Sequence, residues 1–260
     1  MIRERVLNWL LPPAFGVLLL VFWEWAVAFY QIEPFRLPAP SAIGQAFLSD
    51  GPSLLGAALS TLQTTLLAFA SAFVLGVGLA ILFVQSRTLE RALFPYAVIL
   101  QVTPIVSIAP LISIWVGLDH ADRAVLILAT IVAFFPILSN TVLGLKSADR
   151  NLIALFHLYG ASRWQVLTRL LLPSALPYLM AGVKIAGGLA LIGAVVAEFA
   201  AGSGTATGLA FRIAEAGNRL QIAKMFVGLA MLSALGILIF AFFSALEARL
   251  LRRWHDSALG

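Results

Sequence analysis

The sequence predicts an all-α membrane protein with several spans, and its composition and apolar pattern lead to that class. Apolar residues make up 61% of the 260 residues, and charged residues only 11%. Soluble domains contain about 45–50% apolar and about 25% charged residues, so this chain lacks the polar surface of a soluble fold. Its apolar segments are continuous rather than alternating, which excludes a membrane β-barrel, and the high apolar content excludes a disordered chain.

Six segments are long and apolar enough to cross a bilayer, which takes about 20 residues. The predicted spans are residues 12–30, 61–85, 93–117, 124–145, 177–200 and 224–246. Pro34, Pro38 and Pro40 follow the first span, and Ser41 is predicted to cap a short interfacial helix before the second. The first apolar run is too long for a cleaved signal peptide. We expect residues 1–260 to form a single transmembrane domain.

Lysine and arginine are distributed unevenly between the two sides of these spans. If the N-terminus lies inside, 11 basic residues lie on the inner side, 5 lie on the outer side, and Lys184 lies within a span. Because inner loops retain Lys and Arg, both termini are predicted to be cytoplasmic. The net charge of +5 therefore reflects membrane topology and gives no reason to expect nucleic-acid binding.

Residues 146–176 form the longest predicted inner connection. Its first part has an apolar face at helical spacing, formed by Leu152, Leu155, Phe156 and Tyr159. Gly160 interrupts this helix, and Ser162 and Gln165 have the spacing of a capping box. The second short helix is expected to stop at Pro173, with the fifth span beginning afterwards.

Two interpretations of this loop follow from its residues. Phe156, Tyr159 and Trp164 accompany Arg163 and Arg169. The loop is either a hairpin lying on the bilayer surface or a docking element, since aromatic and arginine side chains suit a partner's groove.

Several motifs resemble those of ABC importer permeases. Gly160-Ala161-Ser162 and the following Leu172-Pro173 match the spacing of that family's coupling-loop signature. Further matches to its sulfonate, taurine, nitrate and thiamine-precursor branch are Leu37-Pro38-Ala39-Pro40-Ser41-Ala42, Thr103-Pro104-Ile105, Ala109-Pro110-Leu111, Trp115-Val116-Gly117, Phe135-Pro136-Ile137 with Asn140-Thr141, and Ala197-Glu198. The family's Glu-Ala-Ala is replaced by Ala154-Leu155-Phe156, so the usual acidic residue is absent.

The resemblance implies a permease subunit of a type I importer in the cell inner membrane, surrounded by lipid. Two copies or two related subunits would form the pore, cytoplasmic ATPase subunits would bind the loops, and an extracytoplasmic solute-binding protein would deliver the solute. This chain has no Gly-Lys-Ser/Thr phosphate loop, so ATP and Mg²⁺ would belong to the ATPase and this chain would hold no cofactor. The residues implied in ATPase coupling are Phe156, Tyr159, Gly160, Ala161, Ser162, Arg163, Trp164, Leu172 and Pro173.

Polar residues near Pro104, Pro110 and Pro136 are candidates for the translocation path of a small polar solute. They are Gln101, Thr103, Ser107, Ser139 and Asn140, with Glu198 near the outer mouth. An acidic residue at the end of a span is either solvated at the interface or acts as a gate or structural hydrogen-bonding group. The resemblance favours a heterocyclic vitamin precursor, such as a thiamine pyrimidine or riboflavin, with sulfonate, taurine and nitrate as alternatives.

Small residues recur every four positions in the fifth span, at Gly182, Ala186, Ala190 and Ala194. Such a stripe allows close helix contact, either within the chain or at a pore or dimer interface, and the resemblance favours the second. The scattered histidines and the absence of cysteine predict no metal site, and no catalytic arrangement is visible. The alternative function is a self-sufficient channel or secondary carrier, which would have no need of the capped loop.

Overall fold

The computed structural model describes residues 2–117, 119–201 and 207–251, with side chains from Leu10 onward. All regular structure within these ranges is helical, which confirms the predicted class. The α-helices are α1 (Ile2–Phe29), α2 (Pro40–Gln85), α3 (Arg87–Val102), α4 (Ile105–Val116), α5 (Ala121–Lys146), α6 (Arg150–Leu158), α7 (Arg163–Val166), α8 (Leu172–Ala201), α9 (Leu209–Asn218) and α10 (Ile222–Leu251). A π-helical segment, Leu167–Leu171, joins α7 to α8.

Five described helices are long and apolar enough to cross a membrane, or six if α3 and α4 together count as one span. The predicted third span, residues 93–117, is not a single straight helix. It breaks at Thr103 and Pro104, and the two parts meet at an angle of 105°. Pro104 lacks a backbone N–H and clashes with a continuing helix, which explains the break.

The predicted separation between an interfacial helix and the second span is wrong, because α2 is one helix of 46 residues. At 1.5 Å per residue it is about 69 Å long, roughly twice a bilayer's hydrocarbon core. Ser41 is not its N-cap: Ala39 holds that position, and Pro40 begins the helix, where no N–H is needed. The Ser41 hydroxyl instead donates to Glu24 Oε1 over 2.7 Å, linking α1 to α2.

The second helix of loop 146–176 does not stop at Pro173, contrary to the sequence-based expectation. Helix α7, the π-helical segment and α8 form one continuous helical stretch from Arg163 to Ala201. The wider π-helical turn ends at Leu171, two residues before Pro173. Proline would clash with the carbonyl of Arg169, four residues earlier, and a local change of helical register relieves such a clash.

Helices α5 and α8 cross in the centre of the molecule, and α2 packs against both. Gly182, Ala186, Ala190 and Ala194 are buried at this crossing within one chain. The expectation that this stripe lines a pore or a dimer contact is therefore wrong. A Cβ added to Gly182 would lie 2.8 Å from Asn140 Cβ, so the two backbones approach as closely as glycine allows.

The bend between α3 and α4 gives the two helices different neighbours beside α5, namely α2 for α3 and α8 for α4. Helix α3 covers the groove between α2 and α5 near loop 146–176, where Phe94 packs between Phe83 and Phe135. Helix α4 instead packs on α5 and α8 at the opposite end, through Ala109 against Leu128 and Ala197. The groove between α2 and α5 is thus covered by α3 at the loop end, whereas α4 packs on α5 and α8.

Candidate functional site

Loop 146–176 is a compact two-helix structure with well-formed caps. Gly160 ends α6 at a φ of +69°, a left-handed conformation that favours glycine. The N–H of Gly160 donates to His157 O, and that of Ala161 to Phe156 O, which satisfies carbonyls at the helix end. The capping box is confirmed: Ser162 N–H donates to Gln165 Oε1 over 2.8 Å, and Gln165 N–H donates to Ser162 Oγ over 3.3 Å.

One side of this loop packs on the rest of the chain and the other is open. Val166 and Leu170 are buried, and Phe156 packs partly against them. Tyr159 and Trp164 face outward with 83% and 67% of their surfaces exposed. Large apolar side chains so exposed at the end of the molecule form a patch that a partner or lipid can cover.

The nine residues implied in coupling fall into three groups. Phe156 and Ala161 turn partly inward, whereas the remaining loop residues, Tyr159, Gly160, Ser162, Arg163 and Trp164, are exposed. Leu172 and Pro173 are half-buried at the start of α8. A cavity of about 390 Å³ opens beside the turn, lined by Leu155, Phe156, Tyr159, Gly160, Ala161, Gln165 and Arg169.

Glu198 is buried at the end of the molecule opposite this loop and caps α9. Its carboxylate accepts the Thr61 hydroxyl at 2.7 Å and the Ala210 N–H at 2.8 Å. Thr61 Oγ1 in turn accepts the Leu209 N–H at 2.8 Å. A carboxylate at a helix N-terminus satisfies N–H groups that have no partner within the helix. This arrangement favours the structural hydrogen-bonding interpretation of Glu198 over interfacial solvation.

Helix α9 carries its own ion pairs on its exposed side. Arg212 Nη1 donates to Glu215 Oε2 at 2.9 Å, and Arg219 Nη2 lies 2.8 Å from Glu215 Oε1. The hydrogen bond from Arg212 holds the pKa of the Glu215 carboxyl below its usual value. Exposed pairs of this kind contribute little to stability. The hydrogen bonds that the buried Glu198 accepts are therefore the stronger anchor of α9.

The predicted path residues do not form one cluster. Gln101 and Ser107 are exposed on either side of the bend, and the Thr103 hydroxyl donates to Ile99 O at 2.7 Å. The other members, Ser139, Asn140 and Glu198, lie on α5 and α8.

Two of the remaining path candidates lie on α5. Asn140 Nδ2 donates to Pro136 O at 2.8 Å, and Ser139 Oγ lies 3.4 Å from the same oxygen. Asn140 packs on Gly182, and Glu198 lies 16 residues further along α8, about 24 Å away along the helix. Glu198 is therefore remote from the α5 pair.

A polar cavity at the opposite end, between α2 and α5, was not predicted from the sequence. It has a volume of about 210 Å³ and is lined by Ser60, Gln63, Thr64, Leu67, Asp122, Arg123 and Leu126. The signal in the sequence is a run of polar residues from Ser60 to Thr65 at the head of a span. Within the described parts of the chain, no group of three His, Asp or Glu side chains is placed to hold a metal ion.

The helical spans and the bent pair define this chain as a helical membrane protein with several spans. Residues 72–252 match the family described as binding-protein-dependent transport system inner membrane component, and the chain belongs to that family. It is 37% identical to the riboflavin transport system permease protein RibX of Chloroflexus aurantiacus, over 98% of this chain and 96% of that protein. It is 35% identical to the formylaminopyrimidine transport permease protein ThiX of Halalkalibacterium halodurans, over 92% and 94%.

The fold also matches a solved structure described as an amino acid ABC transporter with histidines. The TM-score is 0.64 at 15% identity, and the match covers 80% of this chain and 97% of that chain. At this identity the match shows the fold alone. The resemblance to ABC importer permeases of the sulfonate, taurine, nitrate and thiamine-precursor (riboflavin-like) branch, drawn from the sequence motifs, is confirmed by the family match and by relatives of that branch.

Proposed function

We propose that this chain is the pathway-forming subunit of an ATP-driven importer in the inner membrane and takes up a small polar organic solute. Two such subunits form the pore, a solute-binding protein delivers the solute, and cytoplasmic ATPase subunits bind loop 146–176. ATP and Mg²⁺ belong to those subunits. The named solutes of the two relatives support a heterocyclic vitamin or vitamin precursor as the class of solute.

The observation that carries this proposal is the continuous helical stretch from Arg163 to Ala201. It has 39 residues, which at 1.5 Å per residue is about 58 Å, longer than the bilayer core of about 30 Å. If the span begins near Pro177, the loop end of this stretch projects about 20 Å beyond it. A movement of α7 is therefore passed to the centre of the molecule without an intervening flexible loop.

The projection favours docking over a hairpin that lies on the bilayer. Tyr159, directly after α6, and Trp164 on α7 are exposed, and the cavity beside them provides a concave surface. Exposed aromatic anchors next to a groove suit a protein partner, because they bury a large area with few rotatable bonds. The π-helical segment lies between this surface and the span, and such segments are frequent at functional sites.

Gln101, Thr103 and Ser107 remain proposed members of the translocation path. They lie at or beside the 105° break between α3 and α4, where backbone groups are released from the helix. In a membrane, backbone groups released in this way are tolerated where they line a polar cavity or contact a neighbour. Ser139, Asn140 and Glu198 are proposed to act by positioning α5, α8 and α9 around this path.

The test is co-purification of the ATPase with the tagged chain from its host in mild detergent. Trp164→Ala is expected to remove a central anchor, which costs about 2 kcal/mol, or about 30-fold in affinity. The ATPase should then be lost during purification. The matched control is Trp115→Ala on α4, because Trp115 is 71% exposed but does not belong to the loop.

Two results would contradict the proposal. If the ATPase remains bound to Trp164→Ala as strongly as to Trp115→Ala, the loop is not the docking site. If the unaltered chain purifies without any ATPase and conducts solute alone in liposomes, a channel or secondary carrier is the correct function.

A further inference from the structure

The polar cavity between α2 and α5 lies at the entrance end of the proposed pathway, opposite loop 146–176. Ser60, Gln63 and Thr64 occupy one face of α2 at helical spacing, and Asp122 and Arg123 lie in the first turn of α5. Polar and charged residues are rare in spans and usually face a partner or a water-filled cavity. Their concentration on both walls at one end of the groove therefore indicates a site for a polar ligand.

The bend between α3 and α4 explains why this groove is open. Helix α3 fills the groove near loop 146–176 through Phe94 and Ala97 and ends at Val102. Helix α4 then packs on α5 and α8. The opposite part of the groove is left to the polar residues, and a solute that enters there meets α2 and α5 before it reaches the bend.

The charges around the cavity are balanced. Among the residues that line it, Asp122 and Arg123 contribute one charge of each sign. An entrance that concentrates small anions is expected to carry an excess of positive charge. This cavity has no such excess among its lining residues, so it does not favour sulfonate or nitrate.

The remaining lining residues offer hydrogen bonds and apolar contact. Gln63 and Thr64 supply both donors and acceptors, and Leu67 and Leu126 supply apolar walls. Ser60 Oγ is already engaged with Thr207 Oγ1 at 2.8 Å, which ties the α2 wall to the segment before α9. A flat ring with polar edges matches this combination, because its faces contact leucine and its edges meet hydrogen-bonding groups.

We infer that this cavity is a solute subsite that accepts an uncharged, hydrogen-bonding ring in preference to a small anion. The inference rests on the proposed function. It narrows the proposed solutes to uncharged rings, because the residues that line the cavity carry one charge of each sign. A volume of about 210 Å³ accommodates one ring with its substituents, so a larger solute would contact the site with one part only.

The absence of cysteine allows a direct test with single introduced thiols. Gln63→Cys and Thr64→Cys place a thiol in the cavity, and Leu66→Cys is the matched control on the same helix. Leu66 is 49% exposed but does not line the cavity. Each variant is purified as the full chain and treated with methanethiosulfonate reagents of opposite charge, with rates normalised to a free thiol in solution.

The cavity thiols are expected to react about 10-fold faster than the control, because a thiol facing detergent or lipid stays protonated and excludes charged reagents. The cationic reagent should react at least as fast as the anionic one. Formylaminopyrimidine or riboflavin should slow the reaction, about twofold when half of the sites are occupied. Nitrate and an alkanesulfonate at the same concentration should leave it unchanged.

Three results would overturn the inference. The first is that the cavity thiols react no faster than the thiol of Leu66→Cys, which would mean that lipid or a second copy covers the groove. The second result is that neither heterocycle slows the reaction of the cavity thiols. The third is that nitrate or the alkanesulfonate protects these thiols instead. ATPase binding to the same preparations separates the two proposals, since its loss contradicts the proposed function, whereas bound ATPase without protection contradicts the subsite alone.

Discussion

At the scale of single residues, Glu198 on α8 joins α9, the next helix along the chain, to α2, which is distant in the sequence. Its carboxylate on α8 receives hydrogen bonds from Thr61 on α2 and from the first turn of α9. Gly208 lies against this carboxylate, because a Cβ built there would be 2.1 Å from its carbon. Glycine is therefore needed at this position for space, whereas Gly160 is needed for its positive φ and has open surroundings.

Gly208→Ala should lower the free energy of unfolding by about 1–3 kcal/mol, because the new methyl group collides with the Glu198 carboxylate. In a Glu198→Ala background most of this collision disappears. The double variant should therefore be more stable than the sum of the single changes predicts, by about 1 kcal/mol. Unfolding of the purified chain by increasing SDS measures all three variants. Additive effects would show that the two residues do not contact each other.

At the scale of helices, small residues decide how closely α5 and α8 pack. Gly182 faces Asn140 Cβ and Pro136 O, while Gly188 on the same helix is exposed and has no neighbour within 4 Å. In the absence of a hydrophobic driving force between helices in lipid, close contact and hydrogen bonds hold such a crossing together. Identical substitutions at these two positions should therefore differ in their effect on stability.

Gly182→Ala should destabilise the fold by about 1–3 kcal/mol, since the added methyl would lie 2.8 Å from Asn140 Cβ and would push α5 from α8. Gly188→Ala, the matched control, should leave stability unchanged or raise it by up to about 1 kcal/mol through helix propensity. The same SDS titration measures both. Equal destabilisation by the two changes would contradict the packing at this crossing.

Proline does not end every helix of this chain in which it occurs. Proline ends a helix in isolation, but Pro52 lies within α2 and Pro173 lies next to a π-helical segment within a continuous stretch. Packing against neighbouring helices compensates for one lost hydrogen bond. Pro104 does break its span, at a position where α3 and α4 pack on different neighbours.

At the scale of the whole molecule, the distribution of basic residues predicts a cytoplasmic N-terminus and C-terminus. Loop 146–176 and α9 would then lie on opposite sides of the membrane. His157 and Arg219 are exposed at the two ends of the molecule, and each is replaced by cysteine in a separate variant. A membrane-impermeant maleimide should label only Arg219→Cys in intact cells and both after permeabilisation. Labelling of His157→Cys in intact cells would reverse the orientation.

The amino-acid sequence by itself determined the helical membrane class, the family and the caps of loop 146–176. These depend on local information: the apolar length of each segment, motif spacing, and the contact of Ser162 with Gln165 three residues away. Only the tertiary structure decided where the polar groups of the spans go. Thr61 and Glu198 are 137 residues apart, and the cavity of Gln63 and Asp122 exists only because α2 and α5 pack side by side. Hydropathy along the sequence shows that such residues are polar. It does not show which groups they contact, because those contacts are set by the packing of helices from distant parts of the chain.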